Sequence, residues 1–168
     1  MAKKFGAREV LEVAERMERN AIKFYRKAAG ICDDPAMGKL FTDLARWERQ
    51  HVRAFADMRG HLPEPNWEPG RYVLDPDDQS PAQSPLPLAF GDSEHPSNEL
   101  VDKPTRVEVL RTAIRKEKDT ISYYVGLKEF IPGHHNVQMI KAIIREEKRH
   151  VKILTQSLEQ ALQLRRQT

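Results

Sequence analysis

The chain repeats itself at a constant offset of 99 residues. Val10, Leu11, Ala14, Arg16, Glu18, Ile22 and Tyr25 match Val109, Leu110, Ala113, Arg115, Glu117, Ile121 and Tyr124. Without any gap, Arg46, Glu48, His51 and Val52 match Arg145, Glu147, His150 and Val151. Such agreement is hard to obtain by chance. The apolar members recur at helical spacing, three and four residues apart. Two helical hairpins related by an approximate two-fold axis follow, an all-α fold. Polar intruders match along with the stripes. Glu48-x-x-His51 and Glu147-x-x-His150 each place a carboxylate and an imidazole on one helix face, one turn apart. Glu18 and Glu117 are single carboxylates in otherwise apolar stripes.

The first helix is read from about Ala7 to Ala29, with Gly30 as its stop. Asp34-Pro35 reads as an N-cap and a first-turn proline, opening a second helix that reaches Arg59. Its stripe is Leu40, Phe41, Leu44, Glu48, His51, Val52, Phe55 and Met58. Thr105-Arg106-Val107-Glu108 is a capping box for the third helix, which Pro132-Gly133 stops. The fourth helix is read from about Asn136 to Leu164. The expected layout is therefore one domain over 1–168: a hairpin at 7–59, a proline-rich crossover at 60–104 and a hairpin at 105–165. Nine of the eleven prolines lie in that crossover, a density no long helix survives.

The spacing also works in three dimensions. Glu18 and Glu48 are 30 residues apart with their midpoint at Asp33, in a turn, and Glu117 and Glu147 are 30 apart about Pro132. Each glutamate is thus about fifteen residues, or roughly 22 Å, from its turn. In an antiparallel hairpin the two meet at one height. Hairpins packed face to face would gather Glu18, Glu48, His51, Glu117, Glu147 and His150 into one inward cluster. The crossover then has to run the length of the bundle to begin the second hairpin. Its apolar Leu86, Leu88, Ala89 and Phe90 are expected to pack on the bundle or on a second subunit.

Over all four helices, though not the crossover, the chain resembles the ferritin-like superfamily, and most closely its rubrerythrin-related branch. Glu18…Ile22-Lys23-Phe24-Tyr25 and Glu117…Ile121-Ser122-Tyr123-Tyr124 resemble the helices of that branch that carry one ligand glutamate. The two Glu-x-x-His pieces look like its paired-ligand helices. The resemblance implies a ferritin-like four-helix bundle with two iron ions. Glu48 and Glu147 would bridge them, Glu18 and Glu117 would each bind one terminally, and each metal would take one histidine. It also implies a homodimer. Two departures stand out. With Cys32 as its one cysteine, the chain lacks the rubredoxin module of full rubrerythrins. Where rubrerythrins carry a further ligand glutamate one turn after the third helix's lone one, this chain has Thr120. A symmetric site without ligand exchange is the expectation.

Four carboxylates in a bundle core repel one another and are costly to desolvate. Two divalent cations cancel four such charges. Four carboxylates and two imidazoles suit iron or manganese, and zinc would bind them too. Two readings from different classes stand side by side. One is a di-iron oxidase or peroxide-reducing enzyme, acting on dioxygen or hydrogen peroxide with a separate electron-donor protein. The other is a metal carrier, storage protein or sensor without turnover. A metal-free structural bundle is the bland third. Tyr25 and Tyr124 lie two turns from their glutamates, as relays, as partners of a ligand or, by preference, as core aromatics with a hydroxyl partner. Glu146 competes with Glu147 for the ligand role, but its repeat partner is Trp47, which favours Glu147. His61, His95, His134 and His135 are expected at the surface, and Cys32 as unreactive.

A formal charge of +3, with no basic arm carrying aromatics, gives no reason to expect nucleic acid. The start, Met1-Ala2-Lys3-Lys4-Phe5, has no apolar signal region, and no apolar run approaches membrane length. A soluble cytoplasmic protein is expected.

Overall fold

Local signals set the ends of four helices. The computed structural model describes residues 6–62, 100 and 104–165, and its elements are α1 (Ala7–Ile31), α2 (Pro35–Gly60), α3 (Arg106–Leu127) and α4 (His134–Arg165). Asp34 caps α2, its Oδ1 accepting from the amides of Ala36 at 2.9 Å and Met37 at 3.4 Å. Pro35 fills the first helical position and keeps Asp34 extended, at φ −80° and ψ 115°. Thr105 caps α3 in a full box, taking the Glu108 amide while the Glu108 carboxylate takes the Thr105 amide.

Three boundaries differ from the sequence expectation. Gly30 does not stop α1, which runs on to Ile31. Helix is not broken by a glycine that keeps a right-handed backbone. The break comes from Asp34-Pro35, where proline denies its predecessor the helical region. Likewise α3 ends at Leu127, before Pro132-Gly133. Gly133, at φ 89°, lies in the left-handed region that suits glycine, and it opens α4 at His134 rather than Asn136.

Helix α1 packs along α2 and α3 along α4, with lighter contact of α1 on α3 and of α2 on α4. The start of α3 lies against the first turn, where Arg106 Nη1 is 2.8 Å from Asp34 Oδ2. At the far end Leu62, just past α2, packs in a cluster with Leu11, Leu127 and Ile131. Residues 62 and 104 therefore stand at opposite ends of the bundle. Residues 63–99, with Leu86, Leu88, Ala89 and Phe90, lie outside the described part. This is the ferritin-like arrangement of two antiparallel hairpins joined by a long crossover. None of the described helices is long and apolar enough to cross a membrane.

Two apolar clusters hold the bundle. Phe24, Tyr25, Phe41, Leu44 and Leu110 fill the end near the first turn. Leu11, Phe55, Met58, Tyr124, Leu127 and Ile140 fill the other. Burying one such side chain contributes about 1.5–3 kcal/mol. A polar layer lies between them. Glu15 is a further buried charge, matched by Arg59 Nε at 2.6 Å and Arg19 Nη2 at 3.1 Å.

Asp34 serves two helices, as cap of α2 and partner of Arg106. Asp34→Ala should cost about 1 kcal/mol through the lost cap, or about 2–4 °C in melting temperature for a chain of this size. Asp33→Ala, one residue away and exposed, should melt like the parent. Equal melting temperatures for Asp34→Ala and the parent would remove the cap from the account.

Candidate metal centre

Helical spacing delivers one glutamate from each of four helices to the polar layer. Glu18 comes from α1, Glu48 and His51 from α2, Glu117 from α3, and Glu147 and His150 from α4. All six are buried. Their donor atoms form two groups of four. Glu18, Glu48, His51 and Glu147 make one, and Glu48, Glu117, Glu147 and His150 the other. Within each group the candidate atoms lie within 4.8 Å of one another. Glu48 and Glu147 belong to both groups. Each lone glutamate and each histidine belongs to one, so the donor sets obey the two-fold repeat.

Distances inside the layer are short. His51 Nδ1 is 2.9 Å from Glu48 Oε2, 2.9 Å from Glu147 Oε1 and 3.6 Å from Glu18 Oε1. His150 Nδ1 is 2.9 Å from Glu147 Oε2, 3.1 Å from Glu48 Oε1 and 4.0 Å from Glu117 Oε1. The imidazoles stack with centroids 5.8 Å apart. Proximity does not satisfy these atoms. Both carboxylate oxygens of Glu48, Glu147 Oε1 and His51 Nδ1 are buried without a properly directed hydrogen bond. Buried polar atoms are ordinarily paired, and unpaired ones are costly. Atoms that converge without bonding one another are what a shared cation would satisfy, so this donor set fits a pair of metal ions.

The two buried tyrosines cross between hairpins. Tyr25 on α1 donates to Glu117 Oε1 on α3, and Tyr124 on α3 donates to Glu18 Oε1 on α1. They are core aromatics, and their hydroxyl partners are the lone glutamates of the opposite hairpin. Burial and the neighbouring Glu117 and Glu18 carboxylates push both phenols well above their usual range. They stay protonated and keep donating.

The carboxyls divide. Desolvation, then repulsion from Glu147 and Glu48, pushes Glu18 up to about 8, and the same causes raise Glu117 well above the usual carboxylate range. Glu147 goes the other way. Burial would raise it, but His150 and His51 together hold it well below that range. Burial would lower His150, yet Glu48 and Glu147 lift it to about 10. His51 is raised well above its ordinary value by Glu147, Glu18 and Glu48, against the same burial.

The contacts of two flanking residues were not legible in the sequence. Glu146 is not a member of either group. Its side chain is 57 % exposed, and its Oε2 meets His51 Nε2 at 2.9 Å. Trp47, its repeat partner, stacks on His150 with centroids 5.3 Å apart and planes 13° apart. The one signal in the sequence was their adjacency to the paired glutamates. Thr120 is buried, and its hydroxyl has no partner among the described residues. His61, His134 and His135 are exposed. His95 lies outside the described residues. Cys32 is a half-buried free thiol, raised by burial.

A family model described as Rubrerythrin matches residues 6–62, the first hairpin with Glu18, Glu48 and His51. The chain is also similar to a solved structure from Thermotoga maritima, assigned as a ferritin-like diiron-carboxylate protein. The two share 26% sequence identity with a TM-score of 0.74, over 96% of this chain and 99% of that one. No curated protein matches.

The raised values set the sign of a pH dependence. A group whose folded pKa exceeds its unfolded one holds a proton in the folded chain that the unfolded chain releases. Its stability is present at low pH and lost as pH rises through the folded value. Glu18 gives this loss between about 4.5 and about 8, and His150 between about 6.5 and about 10. Glu147, depressed, acts oppositely and only in acid. The metal-free protein should therefore melt lower at pH 9 than at pH 6, and Glu18→Gln with Glu117→Gln should flatten the slope. A melting temperature that rises over that interval would contradict the assignment.

Proposed function

We propose that this chain, which belongs to the ferritin-like, rubrerythrin-related superfamily, binds two iron ions in its core and oxidises iron(II) with dioxygen or hydrogen peroxide. The observation that carries the reading is the pair of four-donor groups sharing Glu48 and Glu147, with buried oxygens that have no hydrogen-bond partner among the described residues. Glu48 and Glu147 would bridge the two positions. Glu18 with His51 would complete one, and Glu117 with His150 the other. Two iron ions so held supply one electron each to an oxidant.

The chain's own residues supply the rest. Tyr124 and Tyr25 donate to Oε1 of Glu18 and Oε1 of Glu117, the same oxygens that face His51 and His150, so each lone carboxylate is held in a fixed pose. Phe55 packs on Tyr124 at 5.0 Å and Phe41 on Tyr25 at 6.1 Å, closing the layer to water at both ends. Glu18, Glu117 and both histidines are raised toward protonation, so filling the site should release protons and weaken as pH falls. Multiple turnovers of reduction would draw on a separate electron-donor protein.

We expect about two metals per chain, the complement of this bundle class, in protein purified from its native host. Glu48→Ala with Glu147→Ala should lose most of it, because each removes a residue shared by both groups. A full complement of tightly bound metal in that double variant would sink the site. Iron(II) loaded anaerobically and mixed with oxidant should be consumed steadily beyond two equivalents per chain. Oxidation that stops at two equivalents would favour the carrier instead.

Thr120 bears on the oxidant. A neutral hydroxyl is a poor iron ligand beside carboxylates, so neither oxidant should be strongly preferred. Thr120→Glu should shift the rate ratio toward peroxide. Strong peroxide preference in the parent, unchanged in Thr120→Glu, would leave Thr120 without the role given it here.

A further inference from the structure

The two donor groups are alike, but what stands behind their histidines is not. The residue before each shared glutamate faces the imidazole of the other hairpin. On α4 that residue is Glu146, whose carboxylate meets His51 Nε2 at 2.9 Å. On α2 it is Trp47, whose ring lies flat against His150. Among the described residues no acceptor reaches His150 Nε2. The third helix adds a second difference. One turn after Glu117 stands Thr120, buried with an unpartnered hydroxyl, where the first half has Ala21.

A carboxylate behind a ligand imidazole acts in three ways. It accepts the outer N–H, which fixes the tautomer with its lone pair on the inner nitrogen. It makes that nitrogen a stronger donor. It also holds the ring plane. Glu146 does all three for His51 and adds a negative charge near the Glu18 side. Trp47 can hold the plane of His150 by stacking, but it takes no proton and carries no charge. Resting on the di-metal reading above, we propose that Glu146 and Trp47 make the two metal positions unequal. The Glu18–His51 position fills first and holds its ion tightly, and the Glu117–His150 position is the weaker, exchanging one. Glu146 is a positioning residue in this scheme and touches no ion itself.

Cobalt(II) titration of the metal-free full chain tests it, followed by equilibrium dialysis and by visible absorption, which reports the ligand environment. Two steps are expected. With one equivalent, crystals should carry anomalous scattering at the Glu18–His51 position. Glu146 is largely exposed, so Glu146→Gln should fold normally. It should weaken the first step by about ten- to a hundred-fold, the usual effect of losing such a partner, and leave the second in place. Trp47→Glu, which gives His150 the missing carboxylate, should tighten the second step. Repulsion between ions can by itself split two equal sites into two steps, so the variants decide. If Glu146→Gln moves neither step, or moves both equally, or if the first cobalt divides evenly between the positions, the inequality is wrong. If the parent binds no cobalt or iron(II) at all, the di-metal reading falls and this inference with it.

Discussion

Four carboxylates share one layer of the core, and they repel one another unless positive charge stands among them. The rest of the bundle is arranged around that constraint. Bulk solvent does little to relieve it, because all four carboxylates are buried and apolar clusters lie at both ends of the layer. Within the chain the relief is incomplete. Glu147 draws both imidazoles to itself and is held low. Glu18 and Glu117 receive one phenolic hydrogen bond each, which does not prevent burial and then repulsion from raising them. The unsatisfied oxygens of Glu48 and Glu147 mark where cation charge would enter. Glu147 is thus set apart from Glu18 and Glu117 by its electrostatics as well as by its membership of both groups.

The polar layer is also the joint between the hairpins. Helices within a hairpin pack along their length, whereas α1 meets α3 and α2 meets α4 more lightly. Several named ties cross that lighter seam. Tyr25 reaches Glu117, Tyr124 reaches Glu18, His51 reaches Glu146 and Glu147, and the Tyr123 hydroxyl donates to the Val10 carbonyl at 3.1 Å. Most of these end on a residue of the candidate centre. Metal bound there would fasten one hairpin to the other, so metal affinity and the stability of the bundle are expected to rise and fall together.

The fold and the gathering of the six candidate residues in one buried layer were legible because both obey periods that sequence displays directly. Leu11, Ala14 and Glu18 keep helical spacing, and Glu18 and Glu117 keep the repeat. Caps at Asp34 and Thr105 were legible because capping is local chemistry. What escaped depends on contacts between residues remote in sequence. The Glu15–Arg59 pair joins the start of α1 to the end of α2, and nothing near Glu15 announces it. Glu15 and Lys116 are buried charges on faces that helical spacing alone would assign to the edge of the stripe. Glu146 was weighed as a rival to Glu147, and its partnership with His51 depends on how closely α2 and α4 approach. Gly30 misled because glycine permits a stop without requiring one.

The repeat carries one more physical lesson. A residue in both donor groups, such as Glu48 or Glu147, cannot change without altering both metal positions. A residue in one group can change only by unbalancing the other. One step further out the constraint relaxes, since a change there adjusts one position and leaves all six donors in place. Two differences between the halves fall beside the donors: Trp47 against Glu146, which touch the histidines, and Ala21 against Thr120, one turn after the lone glutamates. Symmetric donors in asymmetric surroundings are therefore what a duplicated cluster can tolerate. The geometry locates the difference behind the two histidines, where a carboxylate on one side and an indole on the other act on otherwise equal rings.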